Sequence, residues 1–319
     1  MRAVALLLVA VLVLSCKREV PCSEQPATPA ASRSTRRPVS ASDGGDRGAV
    51  SSRVESSVRV VYAEPKDPAH RPLYEEVKRR QVLEQFARAV SAIPLPRQLT
   101  LEFSGCDGDS NAYYDDDATT ITFCYEYLAD IKEMAALHLV DGKYVQFPGS
   151  DDRIPLDDAI DGPACFVLFH EMGHAVYQLL KVPVLGKQED AADFFAAASL
   201  VRLGKDWAMQ HLRGAAWAYA IGAMSNTPDL SDFADTHSLD SQRYYNILCL
   251  AYGSDPNFFG PAMRHAQLPL ERATECKWEY DQVRYALQQL VPSVGDAQVE
   301  YVGLKRTTDL GSRHSSARH

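Results

Sequence analysis

The fold of this 319-residue chain depends most on residues 161–181, which read DGPACFVLFHEMGHAVYQLLK. The opening Asp-Gly-Pro is typical of a helix start, and the apolar residues after it predict a long helix packed inside the protein. The middle of this apolar run carries His170, Glu171 and His174. Because such side chains are costly to bury without a partner, the run predicts a fold built around a functional site.

The spacing of the two histidines indicates a metal site. His170 and His174 are four residues apart, so they lie on one face of the helix with Cβ atoms about 5–6 Å apart and can bind one ion together. Glu171 can reach a water molecule beside that ion, where a carboxylate serves as a general base. The alternative is that these are ordinary core or surface residues.

Zinc catalysis needs a third protein ligand and an open position for water. Residues 189–193 read EDAAD and begin the next predicted helix. We expect Glu189 to be the third ligand, with Asp190 as the alternative, and Asp193 to accept the ring N–H of a ligating histidine. Two histidines and one carboxylate favour Zn2+, one per chain. An acidic helix N-terminus without a metal would explain the same residues.

The remaining pattern predicts an α+β fold in which antiparallel strands, including a hairpin, come first and a mostly helical part follows. Strands are expected at residues 58–62 and 99–103, and residues 111–125 are typical of an antiparallel hairpin. A helix is expected at residues 72–92, and the pattern is helical from Glu126 almost to the end. The later helices are expected at residues 161–181, 189–203, 207–224, 239–252 and 277–290.

Cysteine usage is typical of an oxidising compartment. Four cysteines of the predicted domain have plausible partners, which gives Cys106–Cys124 and Cys249–Cys276 as the expected disulfides, although spacing alone does not fix connectivity. Cys165 lies in the central helix and is expected to be a buried free thiol.

The N-terminus is typical of an export signal. Residues 1–15 begin with Met-Arg and continue with an apolar run that is too short to span a bilayer. The tetrad VLSC at residues 13–16 resembles a bacterial lipobox, which predicts that Cys16 is acylated and anchors the protein to a membrane. Lys17 gives no reason for retention at the inner membrane, so the outer membrane is expected. A plain signal peptide is the alternative.

Two flanking segments lack a periodic apolar pattern. Residues 16–57 are rich in Ser, Ala, Pro, Gly and Arg and are predicted to be a disordered tether, and residues 293–319 a flexible tail. The domain between them, residues 58–292, holds 21 basic and 34 acidic residues. It therefore lacks the basic surface of a nucleic-acid-binding protein, and we expect a peptide or protein substrate. The sequence does not indicate the oligomeric state.

The motifs resemble a known class of enzymes. HEMGH at residues 170–174 followed by EDAAD at residues 189–193 resembles the gluzincin arrangement of thermolysin and its relatives. The resemblance implies a zincin-like fold and the same ligand and outer-shell roles. Asn111, Ala112 and Tyr113 are similar to the Asn-Ala-aromatic edge strand of those enzymes, which implies that they pair with the substrate backbone.

Residues 58–290 as a whole resemble a family of bacterial metallopeptidases of otherwise unassigned function. Its members share the cysteine-flanked hairpin, the His-Glu helix, the acidic segment and a late segment that reads HSLDSQRYYN at residues 237–246 here. The late segment offers donors for a developing oxyanion. The candidates are His237, Arg243, Tyr244 and Tyr245. Pairing of the arginine with a carboxylate and packing of the tyrosines in the core are the structural alternatives.

These observations predict an exported, lipid-anchored zinc metallopeptidase that hydrolyses peptide bonds through a metal-activated water. Glu171 is the expected general base and His237 a second catalytic residue. The alternatives are a non-catalytic zinc-containing scaffold lipoprotein and a zinc amidase acting on the cell envelope. The intact Glu171 argues against the scaffold, because a structural site needs no base. The acidic domain fits basic peptides better than anionic wall polymers.

Overall fold

The computed structural model of the chain describes residues 57–225 and 227–290, and a four-stranded sheet forms its N-terminal part. The strands are β1 (Val58–Tyr62), β2 (Leu99–Ser104), β3 (Ala112–Asp115) and β4 (Thr120–Cys124). The prediction of antiparallel strands is right for the β3–β4 hairpin and wrong for β1, β2 and β4, which are parallel because long connections that contain helices join β1 to β2 and the hairpin segment joins β2 to β4. The order of the four strands is β1-β2-β4-β3. Strand β3 therefore lies at one edge of the sheet, with one side unpaired.

Helices make up most of the remainder, so the predicted α+β composition is confirmed. They are α1 (Arg71–Arg79), α2 (Val82–Ala89), α3 (Tyr125–Leu137), α4 (Leu156–Leu179), α5 (Gln188–Arg202), α6 (Lys205–Ser225), α7 (Asp240–Ser254), α8 (Pro256–His265) and α9 (Leu270–Leu290). Helix α4 contacts α3, α5, α6 and β3, so it lies at the centre of the described part of the chain.

Two predicted helices have different bounds in the structure. Residues 72–92 form two helices rather than one, because Gln81 adopts a left-handed conformation with φ 52° that ends α1 and lets α2 start in a new direction. Helix α4 begins at Leu156 instead of Asp161 and runs through Pro163. Its first turn contains two aspartates, which the helix dipole favours at this end.

The prediction of continuous helix after Glu126 was wrong between α3 and α4. A small antiparallel sheet lies there, formed by β5 (Leu139–Val140), β6 (Tyr144–Gln146) and β7 (Arg153–Pro155). Asp141 and Gly142 both have positive φ between the first two strands, and Asp-Gly is a strong hairpin-turn signal. In the C-terminal part, α8 was missed and α9 begins at Leu270, earlier than predicted.

Helix α4 is held by apolar packing on several sides. Phe169 contacts the ring of Phe86 at 4.8 Å and that of Trp207 at 6.4 Å, and fully burying an aromatic side chain contributes about 1.5–3 kcal/mol. On the side toward α5, a Cβ atom at Gly173 would lie 3.2 Å from the Ala192 Cα. The glycine thus lets α5 approach closely, which brings the start of α5 to the middle of α4.

The two predicted disulfides are present, Cys106–Cys124 and Cys249–Cys276. The first joins the segment before β3 to the end of β4 and closes a loop of 18 residues, a constraint that contributes about 3 kcal/mol. The second joins α7 to α9. Cys165 is a free, partly buried cysteine, and burial raises the pKa of its thiol.

Among the residues that the structure describes, no helix has both the length and the apolar character that a membrane span requires. The predicted signal peptide, Cys16, the tether and the tail fall outside the described residues, apart from Ser57 at the end of the tether.

His211 on α6 predicts a specific loss of stability in acid. Its ring Nδ1 lies 2.8 Å from the Trp207 carbonyl oxygen, and burial lowers its pKa to about 4. An unfolded histidine has a pKa of about 6.5, so between these values the unfolded chain binds more protons. The contribution of His211 is complete above about pH 6.5 and is lost as the pH falls toward 4, about 3 kcal/mol in all.

We predict that His211→Leu reduces this loss. Between pH 7 and pH 4.5, the unfolding free energy measured by urea titration should fall by about 2 kcal/mol less in the variant than in the wild type. The control is His138→Leu, since His138 makes the same bond to a carbonyl four residues earlier but is partly exposed. Equal losses in the wild type and His211→Leu would contradict the prediction.

Candidate metal centre

Three side chains from α4 and α5 meet at one point. The Nε2 atoms of His170 and His174 lie 3.2 Å apart, and the Oε2 of Glu189 lies 3.0 Å from the first and 3.2 Å from the second. Zinc with four ligands at about 2.0–2.1 Å holds its ligand atoms about 3.3–3.4 Å apart. The triangle therefore fits three ligands of one tetrahedral ion.

A second cluster within the described residues has metal-binding residue types but a different role. It consists of Cys106, Cys124 and Glu126. The two sulfur atoms are joined in a disulfide, and the glutamate accepts the backbone N–H groups of Cys106 and Gly108. This cluster fixes the turn before β3.

The other ring nitrogens of the two histidines are held by hydrogen bonds. His170 Nδ1 lies 2.8 Å from Oδ1 of Asp193, and His174 Nδ1 lies 3.1 Å from Oε1 of Gln188. An N–H donated from each Nδ1 leaves the lone pair on Nε2, which is the arrangement of a histidine that binds a metal. Both imidazoles are thus oriented with their acceptor atoms toward Glu189.

Arg243 holds Asp193 in place through two hydrogen bonds. The Nε and Nη2 atoms of this arginine each lie 2.7 Å from a different oxygen of the Asp193 carboxylate. The guanidinium also lies 4.4 Å from the centre of the Tyr219 ring. Burial acts to raise the pKa of Asp193, but the hydrogen bonds from His170 and Arg243 outweigh it and lower the pKa, so this side chain stays ionised.

The cluster concentrates negative charge where a cation would bind. Hydrogen bonds from His170, His174 and His237 lower the pKa of Glu189 strongly. Burial alone would lower the pKa of His170, yet its bonds to Asp193 and Glu189 raise it to about 9 in the absence of a metal. A cation bound at Nε2 would take the place of the proton on that nitrogen. The carboxylates of Asp193 and Glu189 therefore both stabilise a positive charge at the cluster. The structure brings Glu189, and not Asp190, into the cluster.

Glu171 lies beside the cluster, against the edge strand. It is buried, and burial raises the pKa of its carboxyl group, while the charges of His170 and His174 act in the opposite direction. The backbone N–H of Tyr114 on β3 donates a hydrogen bond to this carboxylate. Glu171 is thus held between the metal cluster and the unpaired side of the sheet.

His237 contacts the cluster and is more exposed than its three members. Its Nε2 lies 3.0 Å from Oε2 of Glu189, and its ring stacks on that of His170 at 6.2 Å. The hydrogen bond to Glu189 raises the pKa of His237. His237 does not belong to the set whose ligand atoms all lie within 4.8 Å of one another. It therefore contacts a ligand without occupying the position of a fourth one.

The predicted substrate residues Asn111, Ala112 and Tyr113 lie at and just before the edge strand. The Asn111 carbonyl accepts the N–H of Cys124 on β4, so by the alternation of an antiparallel pair the backbone groups of Ala112 and Tyr114 point away from β4. The Ala112 N–H is bonded to the side-chain oxygen of Asn111. The carbonyl groups of Ala112 and Tyr114 therefore lie on the side of β3 that faces away from β4.

The two tyrosines among the proposed oxyanion donors make contacts outside the cluster. The hydroxyl of Tyr244 donates to the Ala266 carbonyl, and the ring of Tyr245 packs on that of Tyr244 at 4.9 Å. Arg243 is paired with Asp193, as described above. Of the four candidates in the late segment, His237 is the one that contacts the cluster.

Sequence reasoning missed several residues around the site. Gln188 holds His174, and its position directly before Glu189 was a usable signal. Tyr127 on α3 and Tyr219 on α6 come from distant segments, and no sequence pattern pointed to either of them. Burial raises the pKa of Tyr127 to about 12 and that of Tyr219 well above its usual value; both phenols also lie within electrostatic reach of Arg243 and Asp193.

Comparison with known proteins identifies a family. A family model described as "putative metallopeptidase" matches residues 62–291, which is most of the chain. No curated protein and no solved structure matches the chain. The family description agrees with a metal-binding role for the cluster and with hydrolase activity.

One prediction for the metal centre concerns the third ligand. Glu189→Ala should abolish or greatly weaken metal binding, because it removes the oxygen shared by both histidines. Asp190→Ala is the matched control and should retain about one ion per chain. Metal content after dialysis, measured by plasma mass spectrometry, checks both. An Asp190→Ala protein without metal beside a loaded Glu189→Ala protein would reverse the assignment.

Another prediction for the metal centre concerns Asp193. Replacing it with Asn removes the charge that orients His170 and leaves Arg243 without its partner, so metal affinity should fall about 10–100-fold. Competition with a chromophoric chelator measures this affinity. Gln188→Ala removes the corresponding bond to His174 and should weaken affinity less, since it deletes a neutral partner. Unchanged affinity in Asp193→Asn would rule out this role.

Proposed function

Because the chain belongs to this family of putative metallopeptidases, we propose that it is a zinc-dependent peptidase of the gluzincin type. The observation that carries the proposal is the triangle of His170, His174 and Glu189 with Glu171 beside it. Two imidazoles and one carboxylate with an open side are the donor set of a catalytic zinc site. Zinc bound there would supply a Lewis acid that polarises a carbonyl group and acidifies water.

Glu171 is the proposed general base. Its carboxylate accepts a proton from the attacking water and then returns that proton to the nitrogen of the leaving amine. The N–H of Tyr114 holds the carboxylate in place. Burial raises its pKa toward the working pH, which suits a group that must both take up and release a proton.

The open side of β3 is the proposed substrate-binding edge. An extended peptide can add to it as a further strand, with its N–H groups bonded to the carbonyl oxygens of Ala112 and Tyr114. Because Tyr114 also bonds Glu171 through its N–H, one residue links the substrate backbone to the base. The Cys106–Cys124 disulfide fixes the hairpin that carries this strand.

His237 is the proposed second catalytic residue. Its half-exposed ring contacts Glu189 through Nε2. With zinc bound to that glutamate oxygen, a protonated Nε2 would be free to donate to the oxygen that gains charge during attack. Lys187 holds the backbone at this point, because its Nζ donates to the carbonyls of Asp235 and His237 at 2.9 and 3.2 Å.

We also propose that the peptidase works outside the cytoplasm as a lipoprotein anchored through Cys16 to the outer membrane. The N-terminal sequence and the two disulfides support this, since disulfides persist in oxidising compartments. Its proposed partners are peptide or protein substrates and the membrane that holds the anchor.

We predict that Glu171→Gln keeps the metal and lowers kcat on peptide substrates by at least about 100-fold. Glutamine preserves shape and hydrogen bonding but cannot accept a proton. Metal content and hydrolysis of a mixed peptide library are measured on the same preparation. Glu133→Gln, which changes an exposed glutamate of α3, is the control. A metal-loaded Glu171→Gln protein with full activity would refute the mechanism.

A further inference from the structure

His237 belongs to an exposed segment, residues 227–237, which we call the strap. All of its residues are exposed, and none of them belongs to the apolar core of the described residues. Several of its hydrogen bonds are internal, such as those that Asp229 accepts from Ser231 and Asp232 accepts from Asp229. A segment with few buried contacts opens easily unless other bonds hold it. The position of His237 therefore depends on what fastens the strap to the rest of the protein.

Two sets of contacts join the strap to the metal centre. His237 contacts Glu189 through its Nε2 at 3.0 Å, and its ring stacks on that of His170. Lys187 donates from its Nζ to the carbonyl oxygens of Asp235 and His237 at 2.9 and 3.2 Å. Among the residues that the structure describes, no other hydrogen bond or ion pair joins the strap to the rest of the chain.

The contact between His237 and Glu189 uses an atom that a metal ion needs. The same glutamate oxygen, Oε2, lies 3.0 and 3.2 Å from the Nε2 atoms of the two histidines of the cluster. A cation at the cluster and a protonated His237 compete for this oxygen, so His237 is released when a metal binds. The bonds of Lys187 end on backbone carbonyls and use no ligand atom. They can therefore persist with the metal bound.

The backbone on both sides of the Lys187 bonds is fixed. Lys187 is the residue directly before α5, and its carbonyl accepts the Ala191 N–H in the first turn of that helix. Glu189 follows two residues later on the same helix. On the strap, the Asp235 side chain accepts the backbone N–H of His237 at 2.7 Å, which closes the turn that Lys187 holds. One lysine thus joins the start of the helix that carries a metal ligand to the turn that carries His237.

We propose that Lys187 is a positioning residue that keeps the strap, and with it the ring of His237, beside the metal centre when a metal ion has taken the Glu189 oxygen. The inference rests on the proposed peptidase function. The role of Lys187 is indirect, because it acts through His237. Its ammonium group has three N–H donors, and the two carbonyls of the strap use two of them.

One measurement of this role needs no substrate. Lys187→Met keeps the length of the side chain and removes its donors, and hydrogen–deuterium exchange followed by mass spectrometry reports the opening of the strap. In the zinc-loaded protein, the strap should exchange about threefold faster or more in the variant than in the wild type. Without metal the difference should be smaller, because His237 then still contacts Glu189. Lys205→Met, which changes a similarly exposed lysine at the start of α6, is the control and should leave exchange in the strap unchanged.

A double-mutant cycle on peptide hydrolysis tests the link to His237. Lys187→Met should retain zinc, lower kcat at least about tenfold and change KM little, because misplacing a catalytic group slows turnover. In a His237→Ala background the same substitution should have no further effect, since the lysine acts only through that ring. Lys187→Arg, whose guanidinium can still donate to two carbonyls, should restore most of the activity.

Failure of this inference differs from failure of the proposed function. If the zinc-loaded wild type cleaves no peptide, the peptidase proposal fails, and hydrogen exchange still decides whether Lys187 holds the strap. The inference is overturned if the strap of zinc-loaded Lys187→Met exchanges like that of the wild type, or if the substitution lowers kcat equally in the His237→Ala background. Loss of zinc from Lys187→Met also overturns it, because the lysine would then support Glu189 rather than the strap.

Discussion

The close contact between α4 and α5 is the constraint on which the site depends. At Gly173 the two helices approach so closely that a side chain would press on Ala192. Glu189 lies one turn before that contact, and Asp193 lies just after it. Had α5 been held farther away, the glutamate oxygen would not lie about 3 Å from both imidazoles. The apolar packing of α4 thus stabilises a polar arrangement that is unfavourable by itself.

The buried polar groups are compensated in a continuous chain. The Tyr219 ring contacts Arg243, Arg243 holds Asp193, Asp193 orients His170, and His170 faces Glu189. Each member satisfies the next, so removing one leaves a buried charge or donor without its partner. Arg243, which the sequence offered as a candidate oxyanion donor, therefore supports the ligand His170 indirectly, through Asp193.

How much of the site and the fold the sequence could predict depends on how far apart in the chain the interacting residues lie. His170, Glu171 and His174 share one helix, so spacing alone places them together, and Glu189 starts the following helix. Tyr127 comes from a helix formed about 40 residues earlier in the chain, and no local pattern relates it to the site. The same limit applies to the sheet between α3 and α4, except that its Asp-Gly turn was a local signal. Helix breaks such as the one at Gln81 depend on a single left-handed residue, which periodicity does not reveal.

The number of protein ligands at the cluster bears on whether a bound metal would have a catalytic or a purely structural role. A structural zinc site closes its fourth position with a protein ligand. His237 is the nearest candidate, and its Nε2 lies 3.0 Å from Glu189. A fourth tetrahedral ligand would be equally close to both other histidines, and His237 falls outside that set. Three ligands, with no fourth in the group among the described residues, fit the proposed catalytic site, which needs a position for water; Glu171 and the half-exposed imidazole of His237 lie nearby. The buried carboxyl group of Glu171 beside the ligands also favours the proposed hydrolase over a scaffold protein, because a purely structural metal site needs no base.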